Sequence, residues 1–466
     1  MATHYYYETI ENLKIVSLDV KDVRFPTSLG LHGSDAMHRD PDFSCAYVTI
    51  RLASGTTGNG FTFTCGRGNE IVVAAIKSLS FLVVGATVVD IYKDFAAFSR
   101  SLTNETQLRW LGPEKGVTHL ATAAILNALW DLWAKLLKKP VWRLLVDLPP
   151  EQLVSTIDFK YIKDVITKEE AIEILRKAQD KKEERIKKIT ADGYPAYTSQ
   201  NGWIGYSKET LIELTEKYND LGFNHFKIKV GLNLDDDIRR LKIVRNIIGW
   251  DKKLSIDANQ VWDVEEAIPW VKKLAGFKLT WVEEPTSPDD ILGHATISKE
   301  LNPLGIGVAS GEMCSNKVLF KEFLLTDAIQ YVQVDPARLA GINEILAVYL
   351  MAHKKGVKVV PHGGALGLGE MIQHLQIWDY VSLSGTTEDR YVEYIDLQHE
   401  HFVNPVSVKN GRYEVPTTPG YSTTLKDDSI LKYEYPVGTE WESMFSKGLF
   451  HDPRKAPSRR TSAIKL

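Results

Sequence analysis

The chain has 466 residues, of which 44% are hydrophobic and 25% charged, and it carries a net charge of −4 with a pI of about 6.3. This length exceeds the ~250 to 300 residues that one hydrophobic core usually fills, so we expect two domains or a large barrel with an added domain. The composition excludes intrinsic disorder as the dominant state, and the near-neutral charge provides no general attraction for nucleic acid or anionic lipid. We therefore expect neither a nucleic acid nor a membrane as a partner.

The cysteines and the apolar segments bear on the cellular compartment. Cys45, Cys65 and Cys314 form an odd set without Cys-x-x-Cys spacing, which favours a reducing environment over a disulfide framework or structural zinc. The N-terminus is tyrosine-rich and acidic, unlike a signal peptide, and the apolar run at 81–89 is too short to span a bilayer. The sequence thus predicts a cytoplasmic protein.

Residues 1–150 are predicted to form an α+β domain. Alternating apolar and polar runs predict an antiparallel meander, and two segments with helical apolar spacing follow it. The runs lie at 13–23, 45–52 and 61–65, and the helical segments lie at 69–82 and 117–137. The second helix is rich in alanine, which allows close packing. Residues 151–193 are crowded with Lys and Glu around an apolar stripe and are interpreted as a helical, solvated linker.

From residue 194 to residue 400, short apolar strands alternate with helices, which is typical of repeated βα units around a parallel sheet. The predicted strands are 195–199, 225–230, 253–258, 279–284, 306–310, 330–335, 357–362 and 391–395. Eight such units predict a TIM-type α/β barrel. A doubly wound sheet is the alternative, but no Gly-x-Gly-x-x-Gly follows the first strand to support it.

An ionisable residue stands at the C-terminal end of seven successive predicted strands. These residues are Lys229, Asp257, Glu283, Glu312, Asp335, His362 and Glu393. Because the C-terminal ends of barrel strands converge on one mouth, we expect their side chains to share one pocket. Strands often end in polar residues by chance, but that alternative explains one position better than seven in succession.

Asp257, Glu283 and Glu312 end three consecutive strands, where converging carboxylates repel one another unless a hard cation neutralises them. Oxygen ligands without Cys or His predict Mg²⁺ rather than zinc.

Lys227 and Lys229 point to the same face of their strand, so their mutual repulsion is expected to lower the pKa of both. Lys229 is therefore predicted to act as a general base, and two solvated surface lysines are the alternative.

Asp335 and His362 end adjacent strands, so the carboxylate is expected to fix the tautomer of the imidazole and raise its pKa. A second acid/base opposite the lysines is predicted, with a structural histidine as the alternative.

The segment His399 to His401 is interpreted as a loop that holds Glu393 rather than as a metal cluster. Cys314 is expected to be packing rather than a nucleophile.

These residues resemble the enolase superfamily, in its mandelate-racemase-like subgroup of acid-sugar dehydratases. The motifs that carry the resemblance are Lys227-Ile-Lys229, Asp257-Ala-Asn259-Gln260, Trp281-Val-Glu283-Glu284-Pro285, Gly311-Glu312 and Pro361-His362-Gly363-Gly364. It covers nearly the whole chain, and the segments 24–28, 33–38, 107–110, 112–116 and 285–290 are similar to the L-fuconate and L-galactonate dehydratases. The resemblance implies a modified (β/α)7β barrel with an N-terminal α+β capping domain. It also implies that residues 401–466 fold back onto the capping domain and end in a partly disordered tail.

The resemblance implies a role for each site residue. The magnesium ligands are Asp257, Glu283 and Glu312; the base is Lys229; the acid is His362 with Asp335. The substrate-binding residues are Lys227, Asn259 and Glu393 in the barrel and Ser28, Asp35 and His38 in a lid that reads the sugar tail.

The resemblance implies dehydration of a sugar acid. The strings Gly311-Glu-Met-Cys314 and Asn259-Gln-Val-Trp262 look more like the fungal enzymes, so L-galactonate is the expected substrate. L-Fuconate, which differs only at C6, is the alternative, because a hydrophobic pocket discriminates weakly against an added hydroxyl. Racemisation without elimination is a third reading, and a non-catalytic sugar-binding or scaffold protein is the alternative from another class. The family also implies a homo-oligomer.

Overall fold

The structure is a computed structural model that describes residues 6–455. The predicted disordered tail falls mostly on residues 456–466, which lie outside the described residues. The strands are β1 Ile15–Arg24, β2 Ser44–Leu52, β3 Thr57–Thr64, β4 Tyr194–Thr198, β5 His225–Lys229, β6 Lys253–Asp257, β7 Leu279–Glu283, β8 Gly307–Ser310, β9 Tyr331–Val332, β10 Lys358–Val359, β11 Val392–Tyr394, β12 Val408–Lys409 and β13 Arg412–Tyr413.

Seventeen α-helices occur within the described residues. They are α1 Asn69–Leu79, α2 Val88–Lys93, α3 Phe95–Thr103, α4 Gly116–Leu136, α5 Val141–Asp147, α6 Pro150–Ser155, α7 Lys168–Lys177, α8 Lys182–Asp192, α9 Lys208–Asp220, α10 Leu234–Ile248, α11 Val264–Leu274, α12 Ile291–Leu301, α13 Lys317–Leu325, α14 Gly341–Lys354, α15 Leu368–Asp379, α16 Asp427–Tyr433 and α17 Thr439–Ser446. Within residues 6–455 none of them combines the length and apolar character that crossing a membrane requires. The cytoplasmic location stays a prediction.

The N-terminal cap comprises β1 to β3 and α1 to α4. Its strands form an antiparallel sheet in chain order, and α4 packs across β3. A Cβ added to Gly60 of β3 would lie 2.2 Å from the backbone nitrogen of Ala128, so the small residues on both elements permit this close approach. The predicted meander and alanine-rich helix are confirmed.

The second unit is an α/β structure built on parallel strands. Strands β4 to β10 pair in chain order, and β11 joins the other side of β4. No backbone ladder joins β10 to β11 within residues 6–455, but the amide of Gln376 in α15 donates to the carbonyls of both Val359 and Tyr391 at 3.1 Å. The strands therefore curl around one interior, which the rings of Trp281 and Tyr331 help to fill. The predicted barrel-type fold with an N-terminal α+β cap is confirmed.

Strands β9 and β10 are shorter than the predicted 330–335 and 357–362. Pro361 has no N–H group to donate to a ladder. The N–H groups of Val360 and His362 nevertheless donate to the carbonyls of Val332 and Val334 at 2.9 and 3.0 Å, which keeps both segments side by side up to the site.

The segment 151–193 is helical, as predicted, but it packs more closely than a solvated linker. The Lys317 ammonium donates to the carbonyl of Asp158 at 2.6 Å, and the Asn343 amide donates to that of Thr156 at 2.9 Å. Ile157, Phe159, Ile162 and Ile166 are buried in the main core. The residues between α6 and α7 therefore accept hydrogen bonds from α13 and α14 at their backbone carbonyls, and their apolar side chains are part of the main core.

Residues 401–455 contact both units. Strand β13 pairs antiparallel with β4, and the Trp441 indole donates to the carbonyl of Arg24 in the cap at 2.9 Å. The Tyr435 N–H donates to the Asp22 carbonyl at 2.7 Å. The C-terminal residues therefore connect the cap to the parallel strands.

Candidate active site and metal centre

The parallel register places the strand-end residues at one level. Lys229 pairs with Asp257 across β5 and β6, and Asp257 pairs with Glu283 across β6 and β7. Glu312 follows β8 directly after Gly311, whose φ of 147° is in the region that favours glycine. The fold thus brings residues far apart in sequence into one cluster.

Three carboxylates form a candidate metal centre. One oxygen from each of Asp257, Glu283 and Glu312 lies within 4.8 Å of the others. Asp257 and Glu283 are fully buried, and Glu312 Oε2 is buried without a hydrogen bond. Burial, reinforced by the charge of Asp257, raises the pKa of Glu283 to about 8. An all-oxygen set with an unused acceptor fits Mg²⁺.

The two lysines lie against these carboxylates. Lys227 Nζ is 2.5 Å from Glu283 Oε1 and 3.0 Å from Glu393 Oε1, and Lys229 Nζ is 2.5 Å from Asp257 Oδ2. Burial lowers the pKa of each ammonium group, but Glu283 beside Lys227 and Asp257 beside Lys229 outweigh it and raise both pKa values. The charge of Lys227 does lower the pKa of Lys229, as predicted, but the neighbouring carboxylates outweigh this repulsion, so the predicted net fall is wrong for this arrangement of side chains.

His362 and Asp335 form a hydrogen-bonded pair, with His362 Nδ1 2.8 Å from Asp335 Oδ2. The N–H groups of Ala337 and Arg338 donate to the other Asp335 oxygen at 2.6 and 3.2 Å and fix its orientation. Burial lowers the pKa of His362, but Glu312 and Asp335 outweigh it and raise the pKa to about 10. A protonated imidazole whose Nε2 lies 3.5 Å from Glu312 Oε2 can donate a proton to a bound molecule.

Glu393 lies near His362, whereas Asn259 lies beside Asp257, to which its backbone N–H donates at 3.0 Å. Glu393 accepts from the Gly363 N–H at 2.8 Å. Burial raises the pKa of Glu393, but the Lys227 ammonium outweighs it and holds the pKa below its usual range. Glu393 is therefore ionised and held by internal partners. Asn259, at a φ of 45°, has a buried amide oxygen without a hydrogen bond.

The predicted lid residues lie in the loop between β1 and β2. Asp35 accepts from the backbone and ring of His38, and its hydrogen bond raises the pKa of that histidine. Glu312 and Lys229 also act on the charge of His38, so the Asp35–His38 pair is near the strand-end cluster. Ser28 is buried, and its backbone N–H donates to Asp42 within the cap. The loop is fixed to the chain after β4, since Ser34 Oγ accepts from the Gly205 N–H at 2.9 Å.

Sequence reasoning missed two amide side chains in the site. The Gln333 amide donates to Glu283 Oε2 at 2.6 Å, and the Gln260 amide donates to Glu284, which is fully buried. Gln333 stands two residues before Asp335 and so on the same face of its strand. This spacing was the available signal for Gln333, whereas Gln260 already stands in the Asp257-Ala-Asn259-Gln260 motif and only its role was missed.

The segment His399 to His401, predicted to be a loop that holds Glu393, forms a short 3-10 helix, and its histidines contact residues other than Glu393. The His399 ring contacts Glu370 Oε1 and the Ile395 carbonyl, both at 2.7 Å, while His401 contacts Ser429. Among residues 6–455, the only group of side chains placed to hold a metal ion is the carboxylate centre already described. Cys314 is buried, and burial raises its thiol pKa, in agreement with a packing role.

Known families and proteins resemble this chain over most of its length. Residues 210–429 match the family described as "Enolase C-terminal domain-like", and residues 34–146 match "Mandelate racemase / muconate lactonizing enzyme, N-terminal domain". "Mitochondrial enolase superfamily member 1" of Homo sapiens is 55% identical over 433 residues, which cover 92% of this chain and 98% of that protein. "L-galactonate dehydratase" of Hypocrea jecorina is 48% identical over 437 residues, which cover 93% and 97% of the two chains.

Solved structures show the same fold. The crystal structure of the human protein has a TM-score of 0.92 at 54% identity and covers 93% of this chain and 99% of that chain. The structure of "L-talarate/galactarate dehydratase" from Salmonella typhimurium, "liganded with Mg and L-lyxarohydroxamate", has a TM-score of 0.69 at 24% identity and covers 92% and 94%. This second likeness is one of fold alone.

Proposed function

Because this chain belongs to the enolase superfamily, we propose that it is a Mg²⁺-dependent acid-sugar dehydratase, a hydro-lyase, that converts L-galactonate to 2-dehydro-3-deoxy-L-galactonate and water. The observation that carries the proposal is the placement of Lys229 and the His362–Asp335 pair around three carboxylates. The likeness to a protein named L-galactonate dehydratase supports the substrate. The names of the relatives at 54–55% identity state no substrate.

Asp257, Glu283 and Glu312 are the residues that would hold Mg²⁺. When bound there, Mg²⁺ supplies Lewis-acid charge to the substrate carboxylate and offsets the carboxylate charge that raises the pKa of Lys229. The buried Lys227 ammonium lies among Glu283, Glu393 and Asp257 and adds positive charge on the same side of the pocket. These groups orient the carboxylate end of the substrate.

Lys229 as a free amine removes the proton from C2. Its side chain is 12% exposed, whereas that of Lys227 is 1% exposed, so Lys229 is the lysine that a substrate can reach. The electron pair of the C2–H bond then forms a double bond between C1 and C2, and negative charge moves onto the carboxylate oxygens. Lys229 then carries the abstracted proton.

His362 completes the elimination. Its Nε2–H gives a proton to the 3-hydroxyl, the C3–O bond breaks, and water leaves as the electron pair moves toward C3. The enol that results takes up a proton at C3, releases the proton of its 2-hydroxyl group, and becomes the 2-oxo acid. Asp335 holds the ring orientation throughout, because it accepts the hydrogen bond of Nδ1.

The first test is formation of 2-oxo-3-deoxy acid by chelator-stripped protein with and without Mg²⁺. We expect product only with Mg²⁺, and a higher kcat/KM for L-galactonate than for L-fuconate. Glu312→Gln should lose most turnover, whereas Glu322→Gln, at a partly exposed glutamate of α13, should retain it. A preference for L-fuconate would reassign the substrate, and no product from either acid with Mg²⁺ present would reject the dehydratase.

A further inference from the structure

Arg338 lies in the loop that carries Asp335. Its backbone N–H donates to Asp335 Oδ1 at 3.2 Å, on the carboxylate that holds His362. The cap fixes the same loop, since Thr62 Oγ1 donates to the carbonyl of Ala337 at 2.6 Å and the Asn127 amide donates to that of Pro336 at 2.9 Å. The backbone of Arg338 is thus held from two sides, next to the catalytic pair.

The guanidinium of Arg338 has no acceptor within residues 6–455. Its Nε is buried without a hydrogen bond, and in this part of the chain no guanidinium nitrogen of Arg338 forms a hydrogen bond or an ion pair. Other inward-facing arginines are well satisfied: Arg240 and Arg245 donate to several backbone carbonyls. Because an unsatisfied buried donor is costly, the buried Nε of this partly exposed arginine favours an acceptor that arrives with a ligand.

Neighbouring groups place this guanidinium below the lid. The backbone of Arg338 lies at the strand-end cluster, since its N–H reaches Asp335 Oδ1, and its charge acts on the thiol of Cys65, which follows β3 in the cap. Asp35 and Glu312 act on the same Cys65 thiol, which is solvent-exposed. The Arg338 guanidinium is therefore close to both the cap and the metal carboxylates, where Asp35 offers acceptors and Arg338 offers donors.

We propose that Arg338 is a substrate-binding residue whose guanidinium donates hydrogen bonds to an oxygen of the sugar-acid tail beyond C3. The inference rests on the proposed function. Such an oxygen is a hydroxyl in an aldonate or a carboxylate in an aldarate, and the planar fork of arginine suits either two neighbouring hydroxyls or one carboxylate.

The test measures kcat and KM with L-galactonate and with galactarate for Arg338→Met and Arg338→Lys, and Mg²⁺ binding by calorimetry. Loss of a charge-assisted hydrogen bond should raise KM by about 10- to 100-fold. The Mg²⁺ affinity and kcat should change little. Arg338→Lys should recover part of the substrate affinity. In a third variant, Arg338→Ala, added guanidinium at millimolar concentration should partly restore the KM. If KM rises more for galactarate than for L-galactonate, the group that Arg338 binds is a tail carboxylate. If KM rises equally for both, that group is a hydroxyl.

Arg51→Met is the matched control. Arg51 is exposed and lies seven residues along the cap sheet from the Ser44–Thr64 pair that precedes Cys65, or about 23 Å. A KM in Arg338→Met equal to that of wild type would overturn the inference while leaving the dehydratase intact. A fall in kcat alone, without guanidinium rescue, would assign Arg338 to positioning Asp335 and also overturn it. If the wild-type protein dehydrates neither acid, the proposed function fails and the inference fails with it.

Discussion

Lys229 and His362 approach the pocket from different strands of the curled sheet. Lys229 ends β5 and His362 follows β10, with β4 and β11 between them on one side and β6 to β9 on the other. If Lys229 removes the C2 proton and His362 acts afterwards, the two steps can be separated. In deuterated solvent, His362→Asn should exchange the C2 hydrogen of L-galactonate while its turnover falls by about 100- to 10,000-fold.

Lys229→Met should show neither exchange nor turnover, measured by NMR and by product assay. Lys242→Met, at an exposed lysine of α10, provides the matched control and should keep both. Exchange or turnover in Lys229→Met would contradict the assignment of the base.

Part of the site could be predicted from single residues and part could not. One ionisable residue per βα unit is visible in sequence, so the residues of the carboxylate centre and the His362–Asp335 pair could be found from spacing alone. The raised pKa of Lys229 could not be predicted, because it depends on the distance from Lys229 to Asp257, which is set by the register of β5 and β6. Arg338 was missed because its position depends on a loop held by Thr62 and Asn127 of the cap.

At the scale of elements, the cap depends on the contact between β3 and α4. Patterning predicted both elements, and the alanines indicated close packing. Neither signal identifies α4 as the helix that packs on β3, because the contact joins residues such as Gly60 and Ala128, which are 68 positions apart. Likewise, the predicted linker could not be placed from its charges, since Asp158 and Thr156 bond to α13 and α14 far along the chain.

Gly60→Ala should push α4 away from β3, because the added Cβ meets helix backbone at 2.2 and 2.5 Å rather than a flexible side chain. We expect a loss of about 1 to 3 kcal/mol in the free energy of unfolding, measured by urea titration. Gly276→Ala is the control: its Cβ has no heavy atom within 4 Å, so the change should be within about 0.5 kcal/mol. Equal stability of the two variants would show that α4 can shift at little cost.

For the whole molecule, the C-terminal residues link the lid to the parallel strands. The Trp441 indole donates to the Arg24 carbonyl, and the Arg24 guanidinium lies 3.8 Å from the ring centre of Tyr435. Phe25, at the entrance to the lid loop, packs on the rings of His401 and Tyr433. The lid loop thus begins on aromatic side chains from residues 401–441, while β13 of the same segment pairs with β4.

Trp441→Ala should therefore loosen the lid without disturbing the metal centre. Trp441 is 2% exposed, so the cavity should cost about 3 to 5 kcal/mol of stability. We expect faster amide hydrogen exchange in residues 27–38 and a higher KM for L-galactonate, with unchanged Mg²⁺ affinity. Trp110→Ala, at an indole that is 92% exposed, should alter none of these quantities. Unchanged exchange in the lid of a folded Trp441→Ala protein would mean that contacts such as Ser34 with Gly205 hold the lid by themselves.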